Sequence, residues 1–438
     1  MDPLTIGLLI TVLTVVVLAS GIPVAFGLGL VSVGFMVAFD GLGSLSILGE
    51  TFFAGVAEFS LVSIPMFIVM GAAVASSPAG KDLYLALDRW LHRVPGGLII
   101  SNIGACSLFA ALSGSSPATC AAIGKMGIPE MRRQGYPDGL ATGSIAAGGT
   151  LGILIPPSIT MIVYGIATET SIGRLFLAGL LPGLMLTVLF MAWSLYTAWR
   201  HGYNFGDVTK RFTLREKLEV LPRVLPFLAI IVGVLYVLYG GVATPSEAAG
   251  VGALFCLVLI AVIYRVWQPR RIWGIISDSM KESVMILMIV AASALFSYMM
   301  SSLFVTQTVA ETIAGLDVNR WVLMGMINLF LLVAGFFLPP VAVILMAAPI
   351  LLPIIEQVGF DPYWFAVVLT INMEIGLITP PVGLNLYVIN GIVPDVSLPT
   401  ILKGALPFML LMVLGIVLLC IFPEIATWLP IALMGEAI

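Results

Sequence analysis

Charged residues are scarce in this chain. They make up 10% of its 438 residues, histidine occurs only twice, and hydrophobic residues account for 60%. Soluble globular domains contain about 25% charged residues, so the composition excludes an ordinary soluble protein. Apolar runs long enough to cross about 30 Å of hydrocarbon recur throughout and predict membrane helices. The clearest runs are 4–19, 23–39, 173–199, 224–239, 248–264, 284–300 and 401–421.

The chain also lacks the residue patterns of metal centres and of hydrolytic enzymes. Its four cysteines lie in apolar segments without metal-ligand spacing. No His-x-x-x-His, Gly-x-Ser-x-Gly or paired-Asp pattern occurs within an apolar run. We therefore expect a protein that is not an enzyme, has no cofactor, and does not bind nucleic acid.

Basic residues lie almost entirely on one side of the predicted helices. When the spans are placed in order, all 19 Lys and Arg residues fall on a common face except Arg174 and Arg320. The positive-inside rule makes that face cytoplasmic and predicts that both termini are periplasmic. This order works only if two apolar segments, roughly 94–126 and 321–355, are re-entrant hairpins that dip in from opposite surfaces. Hairpins of opposite direction predict an inverted repeat. The first run lacks a basic flank, so we expect a membrane helix there and not a cleaved signal.

The sequence repeats itself after 224 residues. This shift places Pro129 on Pro353 and the pair 156–157 on the pair 380–381. A repeat of this length indicates the architecture before any residue is interpreted. We expect an all-α polytopic membrane protein with two inverted repeats, about ten to eleven spans, two re-entrant hairpins and two broken helices. The expected divisions are 1–93 (first helices and interfacial arm), 94–170 (first hairpin and broken helix), 171–320 (middle helices and cytoplasmic linker), 321–392 (second hairpin and broken helix) and 393–438 (C-terminal helices).

Each repeat has a kinked hairpin tip and a double-proline helix break. The first tip covers residues 112–119 and offers four hydroxyls, a glycine and a proline, and the second covers 334–340. A double proline removes two amide donors, so we expect helices to split at 156–158 and at 380–381, with a further break at the glycine-rich residues 148–152. Freed carbonyls and nearby hydroxyls predict an oxygen-ligand site for a small cation, and the next half-helix offers N–H groups to an anion. The alternative for the first tip is a Ser/Gly patch that packs two helices closely.

Polar residues deep in apolar sequence have two interpretations each. Glu374 is a functional candidate because it is an ionisable residue inside a predicted span, and its alternative is a structural carboxylate that is protonated or hydrogen-bonded. Glu58 is interpreted as an interfacial or capping carboxylate, with a role in transport as its alternative. Thr244 and Glu247 are interpreted as a helix cap.

The remaining predictions concern local structure. Residues 81–94 show the spacing of an amphipathic helix lying on the cytoplasmic interface, and residues 270–282 are its weaker counterpart. Pro65 is expected in the middle of the third span. Residues 199–223 are expected to form the longest cytoplasmic loop.

Taken as a set, these motifs resemble the large membrane permease subunit of TRAP (tripartite ATP-independent periplasmic) transporters. The resemblance rests on 63–71, 112–119, 148–164, 171–183, 243–249, 351–353 and 374–387, and it spans nearly the whole chain. It implies an elevator-type secondary transporter, in which the hairpins and broken helices move against a scaffold of the other spans. Such carriers reside in the bacterial inner membrane and import an organic acid, often a dicarboxylate or sialic acid, together with sodium. A periplasmic binding protein delivers the substrate, and a small four-helix membrane subunit, expected here as a separate chain, braces the scaffold.

The resemblance also implies the residues of two sodium sites and of a substrate site. One sodium site would use Ser113, Ser115 and Ser116 with backbone near Gly149 and Gly152. The other would use Gly335, Leu338, Met373, Gly376 and Thr379. The substrate would lie between the tips, near Gly114, Pro117, Thr119, Ser158, Pro340 and Asn385. The family often has an acidic residue where Pro339 stands, so backbone carbonyls are expected to bind sodium at the second tip.

Two other functions remain open from the sequence. A stand-alone sodium/dicarboxylate symporter would have the same architecture and need no binding protein, and a neighbouring gene for a secreted binding protein would distinguish the two. A passive channel would not require paired hairpins of opposite direction. Uptake that persists without an ion gradient would favour the channel.

Overall fold

The computed structural model describes residues 1–91, 96–201, 212–314 and 319–435, and within these ranges all regular secondary structure is helical. The chain begins with α1 (Pro3–Ala19), α2 (Val24–Asp40), a 3-10 helix (Leu42–Ile47), α3 (Leu48–Ala54), a 3-10 helix (Phe59–Val62), α4 (Ser63–Ala75) and α5 (Ala79–Leu91). It continues with α6 (Gly97–Ser113), α7 (Ser116–Arg133), α8 (Asp138–Leu154), α9 (Ile159–Ala167) and α10 (Ile172–His201). Next come α11 (Leu214–Tyr239), α12 (Pro245–Tyr264), α13 (Pro269–Ser302) and α14 (Val305–Ala314). The last helices are α15 (Arg320–Phe337), α16 (Pro340–Gln357), α17 (Pro362–Leu377), α18 (Leu384–Ile392), α19 (Leu398–Ile421) and α20 (Glu424–Met434).

Helices α6–α10 and α15–α19 follow one another in the same pattern. Both α7 and α16 have 18 residues, and their first residues, Ser116 and Pro340, are 224 positions apart. Both α9 and α18 have nine residues. The repeat seen in the sequence is therefore a repeat of helical elements. That the two copies are inverted across a membrane stays a prediction.

Seven of the described helices are long and apolar enough to cross a membrane, or up to nine elements if each of two bent pairs forms one span. One bent pair joins residues 42–54 to residues 59–75 at 56°, and the other joins α8 to α9 at 40°. Helices α1 and α2 are apolar but have only 17 residues each. The fold is that of a multi-pass membrane protein, and the predicted total of ten to eleven spans stays a prediction.

Both predicted hairpins are helix–turn–helix units whose tips lie where the sequence places them. In the first, α6 ends at Ser113 and is followed by Gly114, whose φ of 58° is readily adopted only by glycine. Ser115 is extended, and Pro117 lies in the first turn of α7, where no amide donor is needed. In the second, Leu338 and Pro339 are extended, and Pro340 begins α16.

The double prolines break both predicted helices. Helix α8 ends at Leu154, before the cis Pro156-Pro157 bond, and α17 ends at Leu377, before the cis Pro380-Pro381 bond. The additional break predicted at residues 148–152 was wrong, because α8 continues through them. These glycines are buried and let α8 approach neighbouring helices: a Cβ on Gly149 would lie 2.1 Å from the Cys120 sulfur.

Three local predictions were also wrong. Pro65 lies in the first turn of α4, so it removes no helical hydrogen bond. The predicted loop 199–223 is helical up to His201 and again from Leu214, and residues 202–211 lie outside the described ones. Residues 270–282 are the first part of the 34-residue α13 and not a separate interfacial helix.

The amphipathic helix predicted over residues 81–94 is present as α5, and residues 92–95 lie outside the described ones. It packs against α6, α7 and α11. Its buried Asp82 accepts a hydrogen bond of 2.9 Å from the Tyr264 hydroxyl, and the Arg223 guanidinium lies 3.8 Å from the same carboxylate. Helix α5 is thereby fixed beside the first hairpin by polar as well as apolar contacts.

The helices that carry the two breaks form the core. Residues 141–154 of α8 and 364–377 of α17 are buried without interruption. Helix α8 lies so close to α19 that a Cβ on Gly404 would stand 1.7 Å from the Gly139 carbonyl oxygen. Helices buried on all sides have no stripe to face lipid, so the polar groups on them face other protein elements.

Candidate ion and substrate site

The first hairpin tip lies directly against the break between α8 and α9. A Cβ on Gly114 would lie 2.9 Å from the Pro157 carbonyl oxygen, and a Cβ on Gly152 would lie 3.0 Å from the carbonyl of Ser115. These contacts are backbone to backbone, so only glycine fits at either position without displacing a neighbour. The structure therefore brings together the tip and the broken helix that the sequence associated through the repeat.

The hydroxyls of the first tip do not all have the same role. The Ser113 and Thr119 hydroxyl oxygens are 2.9 Å apart, and Thr119 donates to the Ser115 carbonyl at 2.9 Å. Ser113 also accepts a long hydrogen bond of 3.4 Å from the Ser115 amide. This small network holds the turn between α6 and α7. The Ser115 carbonyl belongs to it and is one of the oxygens that faces Gly152.

Ser116 makes a different contact, with the other repeat. Its hydroxyl donates to both carboxylate oxygens of Glu374 on α17, at 2.8 and 2.9 Å. Ser116 is fully buried and Glu374 is 1% exposed. Among the described residues no Lys, Arg or His forms an ion pair with Glu374. The prediction for Ser116 and the prediction for Glu374 therefore concern one site. Periodicity could not indicate this link, because the two residues are 258 positions apart.

The second tip lies against the second broken helix in a similar way. A Cβ on Gly376 would lie 2.4 Å from the Gly335 carbonyl oxygen, and a Cβ on Gly335 would lie 3.3 Å from the Met373 methyl group. The Val382 amide, in the break, donates to the carbonyl of Phe336 at 3.3 Å. The residues predicted around the second sodium site thus include three that meet: Gly335, Met373 and Gly376.

Two other residues predicted at the second tip are arranged differently. The Thr379 hydroxyl donates to the Ile375 carbonyl at 2.6 Å and lies 3.4 Å from the sulfur of Met409. Leu338 is extended, and its amide donates a hydrogen bond to the Ala334 carbonyl at the end of α15. At this tip, the polar groups are therefore mainly those of the backbone.

The predicted substrate residues do not form one cluster of free polar groups. The Ser158 hydroxyl oxygen caps α9 by accepting from the Met161 amide at 3.2 Å. Asn385 is fully buried and donates to the Ala146 carbonyl at 3.2 Å, while its side-chain oxygen has no hydrogen-bond partner among the described residues. Gly114, Pro117, Thr119 and Pro340 lie at the tips or in the first turns after them. Their assignment to substrate stays a prediction.

The chemistry of these groups suits a hard monovalent cation more than a transition metal. Carbonyl and hydroxyl oxygens at broken helices are the ligands that carriers use for sodium. Among the described residues, no group of three or more His, Cys, Asp and Glu residues could hold a metal ion. Since the Ser116 proton points to Glu374, the lone pairs of its oxygen are left for a cation.

The chain is similar over most of its length to known membrane carriers. The family described as "Tripartite ATP-independent periplasmic transporter, DctM component" matches residues 11–425. The C4-dicarboxylate TRAP transporter large permease protein DctM of Pseudomonas aeruginosa is 37% identical over 373 residues, which are 85% of this chain and 86% of that protein. The isethionate TRAP transporter permease protein DctMQ of Oleidesulfovibrio alaskensis is 34% identical over 410 residues, 93% of this chain and 64% of that protein.

A solved structure gives a likeness of fold. The Alcanivorax borkumensis YdaH transporter superimposes with a TM-score of 0.66 at 15% sequence identity, covering 92% of this chain and 91% of the other. At that identity the comparison concerns the arrangement of helices and not the substrate.

Proposed function

The chain belongs to the DctM component family of tripartite ATP-independent periplasmic transporters, and on that premise we propose that it is the large permease subunit of a sodium-coupled importer of an organic acid. The relatives are transporter permeases, so the chain is a transport protein of the membrane and not an enzyme. The acid is proposed to be a dicarboxylate or a sialic-acid-like compound. The stand-alone symporter is not favoured, because the relatives are TRAP permeases.

Two partners follow from the proposal. A periplasmic binding protein delivers the acid, and a small four-helix membrane subunit braces the scaffold helices. The chain spans 64% of the length of the Oleidesulfovibrio alaskensis relative DctMQ. The small subunit is proposed to be a separate chain. We propose that the complex lies in the bacterial inner membrane, with both termini of this chain in the periplasm.

The observation that carries the coupling proposal is the hydrogen bonding of Ser116 to Glu374. It connects the first hairpin tip, where the first sodium is proposed, with the second broken helix, beside the second sodium site. The first site comprises Ser113, Ser115 and Ser116 with backbone near Gly149 and Gly152. The second comprises Gly335, Leu338, Met373, Gly376 and Thr379.

This connection gives a physical reason for coupled movement. A cation bound at the first tip changes the packing of Glu374, which belongs to the second repeat. Binding of the ion and binding of the substrate can therefore favour the same arrangement of the two repeats. The two hairpins and the two broken helices would then move as one body against the remaining helices, as in an elevator mechanism. The substrate lies between the tips in this proposal.

Uptake in proteoliposomes tests the proposed function. The vesicles contain this chain and its small subunit, and a panel of labelled organic acids is supplied with and without the binding protein and an inward sodium gradient. Uptake only when both are present is the expected result. Uptake without the binding protein would support the stand-alone carrier, and uptake with neither gradient nor binding protein would support a channel.

A further inference from the structure

A cavity of about 790 Å³ opens beside the proposed transport helices, away from the two hairpin tips. It is bounded by the segment between α3 and α4, the turn between α9 and α10, and residues of α13 and α16. Leu238 near the end of α11 and Pro245 at the start of α12 also line it. Sites for small molecules usually enclose about 300–1,000 Å³, so the cavity is large enough for a metabolite.

The cavity lies at the end of α11 and α12 that is remote from the basic residues of these two helices. In α11, Arg215, Lys217 and Arg223 occupy the first turns, whereas Leu238 is in the last turn. In α12, Pro245 is the first residue and Arg265 follows the last. By the positive-inside rule the cavity faces the periplasm, the side from which an imported solute arrives.

The charge of the cavity is negative. Among the described residues that line it, the only charged ones are Glu58 and Glu169, and none is Lys, Arg or His. Arg174 is close in sequence, but its guanidinium donates to the carbonyls of Met434 and Gly435, at 3.0 and 2.8 Å. Two like carboxylates that line the cavity repel a dianion and raise the local concentration of a cationic group.

Glu169 is held in place by an unusual backbone. Its φ is 54°, a left-handed conformation that residues other than glycine adopt infrequently. The turn is closed by the Thr170 amide, which donates to the Gly165 carbonyl at 2.9 Å, and by the Thr168 hydroxyl, which donates to the Tyr164 carbonyl at 2.7 Å. The carboxylate is therefore attached to a rigid turn and not to a loose loop.

A buried hydroxyl without a partner marks the inner wall. Ser293 of α13 lines the cavity, is 2% exposed, and has no hydrogen-bond partner among the described residues. Ser279 and Ser283 on the same helix each donate to the carbonyl four residues earlier, at 2.7 and 2.6 Å. Ser293 departs from that behaviour, so its hydroxyl is available to a ligand. Ser297, one turn further along, lines the same wall.

We propose that this cavity binds a zwitterionic solute, with a cationic nitrogen near Glu58 and Glu169 and a carboxylate that accepts a hydrogen bond from Ser293. Binding at the cavity stands by itself. It is separate from the organic-acid site that we propose between the hairpin tips.

The charge of the cavity can be measured without knowing the natural solute. Ser297→Cys is introduced with Cys420→Ser, since Cys420 is the one native cysteine among the described residues that is not fully buried. The thiol is treated with a trimethylammonium-ethyl or a sulfonato-ethyl methanethiosulfonate, with the membranes intact. The measured quantity is the reaction rate of the cationic reagent divided by that of the anionic reagent. This ratio is expected to be on the order of tenfold higher for the cavity thiol than for a free thiol in solution. The double variant Glu58→Gln, Glu169→Gln should return this ratio to that of a free thiol. The control Glu311→Gln removes an exposed carboxylate outside the cavity and should leave the ratio unchanged.

Protection of the same thiol tests ligand binding. Trimethylglycine is expected to slow its modification severalfold, and succinate at the same concentration is expected to have no effect. Ser293→Ala should reduce the protection while leaving the ratio of the two reagents unchanged. Equal reactivity of the two reagents, or protection by succinate and not by trimethylglycine, would overturn the proposal. Neither readout depends on sodium or on uptake, so a failure here is distinct from a failure of the proposed transport function.

Discussion

The hydroxyl of Ser116 donates to both carboxylate oxygens of Glu374, at 2.8 and 2.9 Å, across a separation of 258 residues. Ser116 begins the returning arm of the first hairpin, and Glu374 lies one turn before the end of the second broken helix. A buried carboxylate costs free energy unless it is hydrogen-bonded, neutralised or paired with a cation. The contact therefore favours one relative position of the two repeats, and it places an acidic group next to a proposed sodium ligand.

The energetic link between these two residues can be measured by a double-mutant cycle. Ser116→Ala leaves the buried carboxylate without its donor, and we expect a loss of about 1–3 kcal/mol in the free energy of unfolding. Added to Glu374→Gln, the same change should cost less, giving an interaction energy of about 0.5–3 kcal/mol. Unfolding of the purified protein in mixed micelles with increasing SDS gives both values. Ser279→Ala is the matched control, because the buried Ser279 hydroxyl bonds only to the carbonyl of Ile275 in its own helix. Additive losses would show that the contact does not hold the repeats together.

Close packing of the second tip predicts the effect of one added methyl group. Gly376→Ala would place a Cβ 2.4 Å from the Gly335 carbonyl oxygen, so the tip must move away from α17. We expect a loss of about 1–3 kcal/mol in stability and a strong reduction in uptake. Gly325→Ala is the control, since Gly325 lies in α15 and a Cβ there would have no atom within 4 Å. Equal uptake by the two variants would contradict the close contact of tip and broken helix.

The start of α12 is held by a capping box. The Thr244 hydroxyl oxygen accepts from the Glu247 amide at 3.3 Å, and the Glu247 carboxylate accepts from the Thr244 amide at 2.8 Å. Thr244→Ala should lower the free energy of unfolding by about 0.5–2 kcal/mol, and Thr244→Ser should restore most of it. Thermal unfolding of the three proteins in the same detergent measures the difference. A serine variant as unstable as the alanine variant would mean that the hydroxyl is not the stabilising group.

A surface ion pair predicts a small pH dependence of the stability of the folded protein. The Arg132 guanidinium binds Asp395 in the loop after α18 and Asp138 at the start of α8. The hydrogen bond from Arg132 holds the pKa of Asp395 below its usual value of 3.8. A lowered carboxylate pKa contributes stability above the usual pKa, and this contribution is lost as the pH falls through the folded-state value. The melting temperature of the natural protein should exceed that of Asp395→Asn at pH about 6, and the difference should vanish below the folded-state pKa. A constant difference from pH about 6 to about 3 would rule out the ion pair as its source.

Much of the architecture follows from the sequence. Thr244 and Glu247 form the predicted cap, and both hairpin tips and both proline breaks occur where the pattern indicated them. These features depend on local chemistry: a proline has no amide donor, and Gly114 readily adopts a positive φ. The effects operate within a few residues, so one sequence is enough to locate them.

The features that the sequence did not indicate depend on tertiary packing. Gly149 and Gly152 lie within the continuous helix α8, where their lack of side chains allows close contact with Cys120 and Ser115. The pairing of Ser116 with Glu374 joins two distant segments, and no periodicity in either one encodes the partner. The orphaned hydroxyl of Ser293 is visible only when the neighbours of α13 are known.

The sodium activation curve of uptake tests the central claim most directly. Proteoliposomes with this chain, its small subunit and the binding protein are supplied with the best substrate of the organic-acid panel at increasing external sodium. Ser116→Ala is predicted to raise the half-activating sodium concentration by about fivefold to tenfold, the equivalent of one lost oxygen ligand, while Ser279→Ala keeps the natural curve. A Ser116→Ala curve that coincides with the natural one, or natural uptake that ignores sodium, would contradict a sodium site at the first hairpin tip.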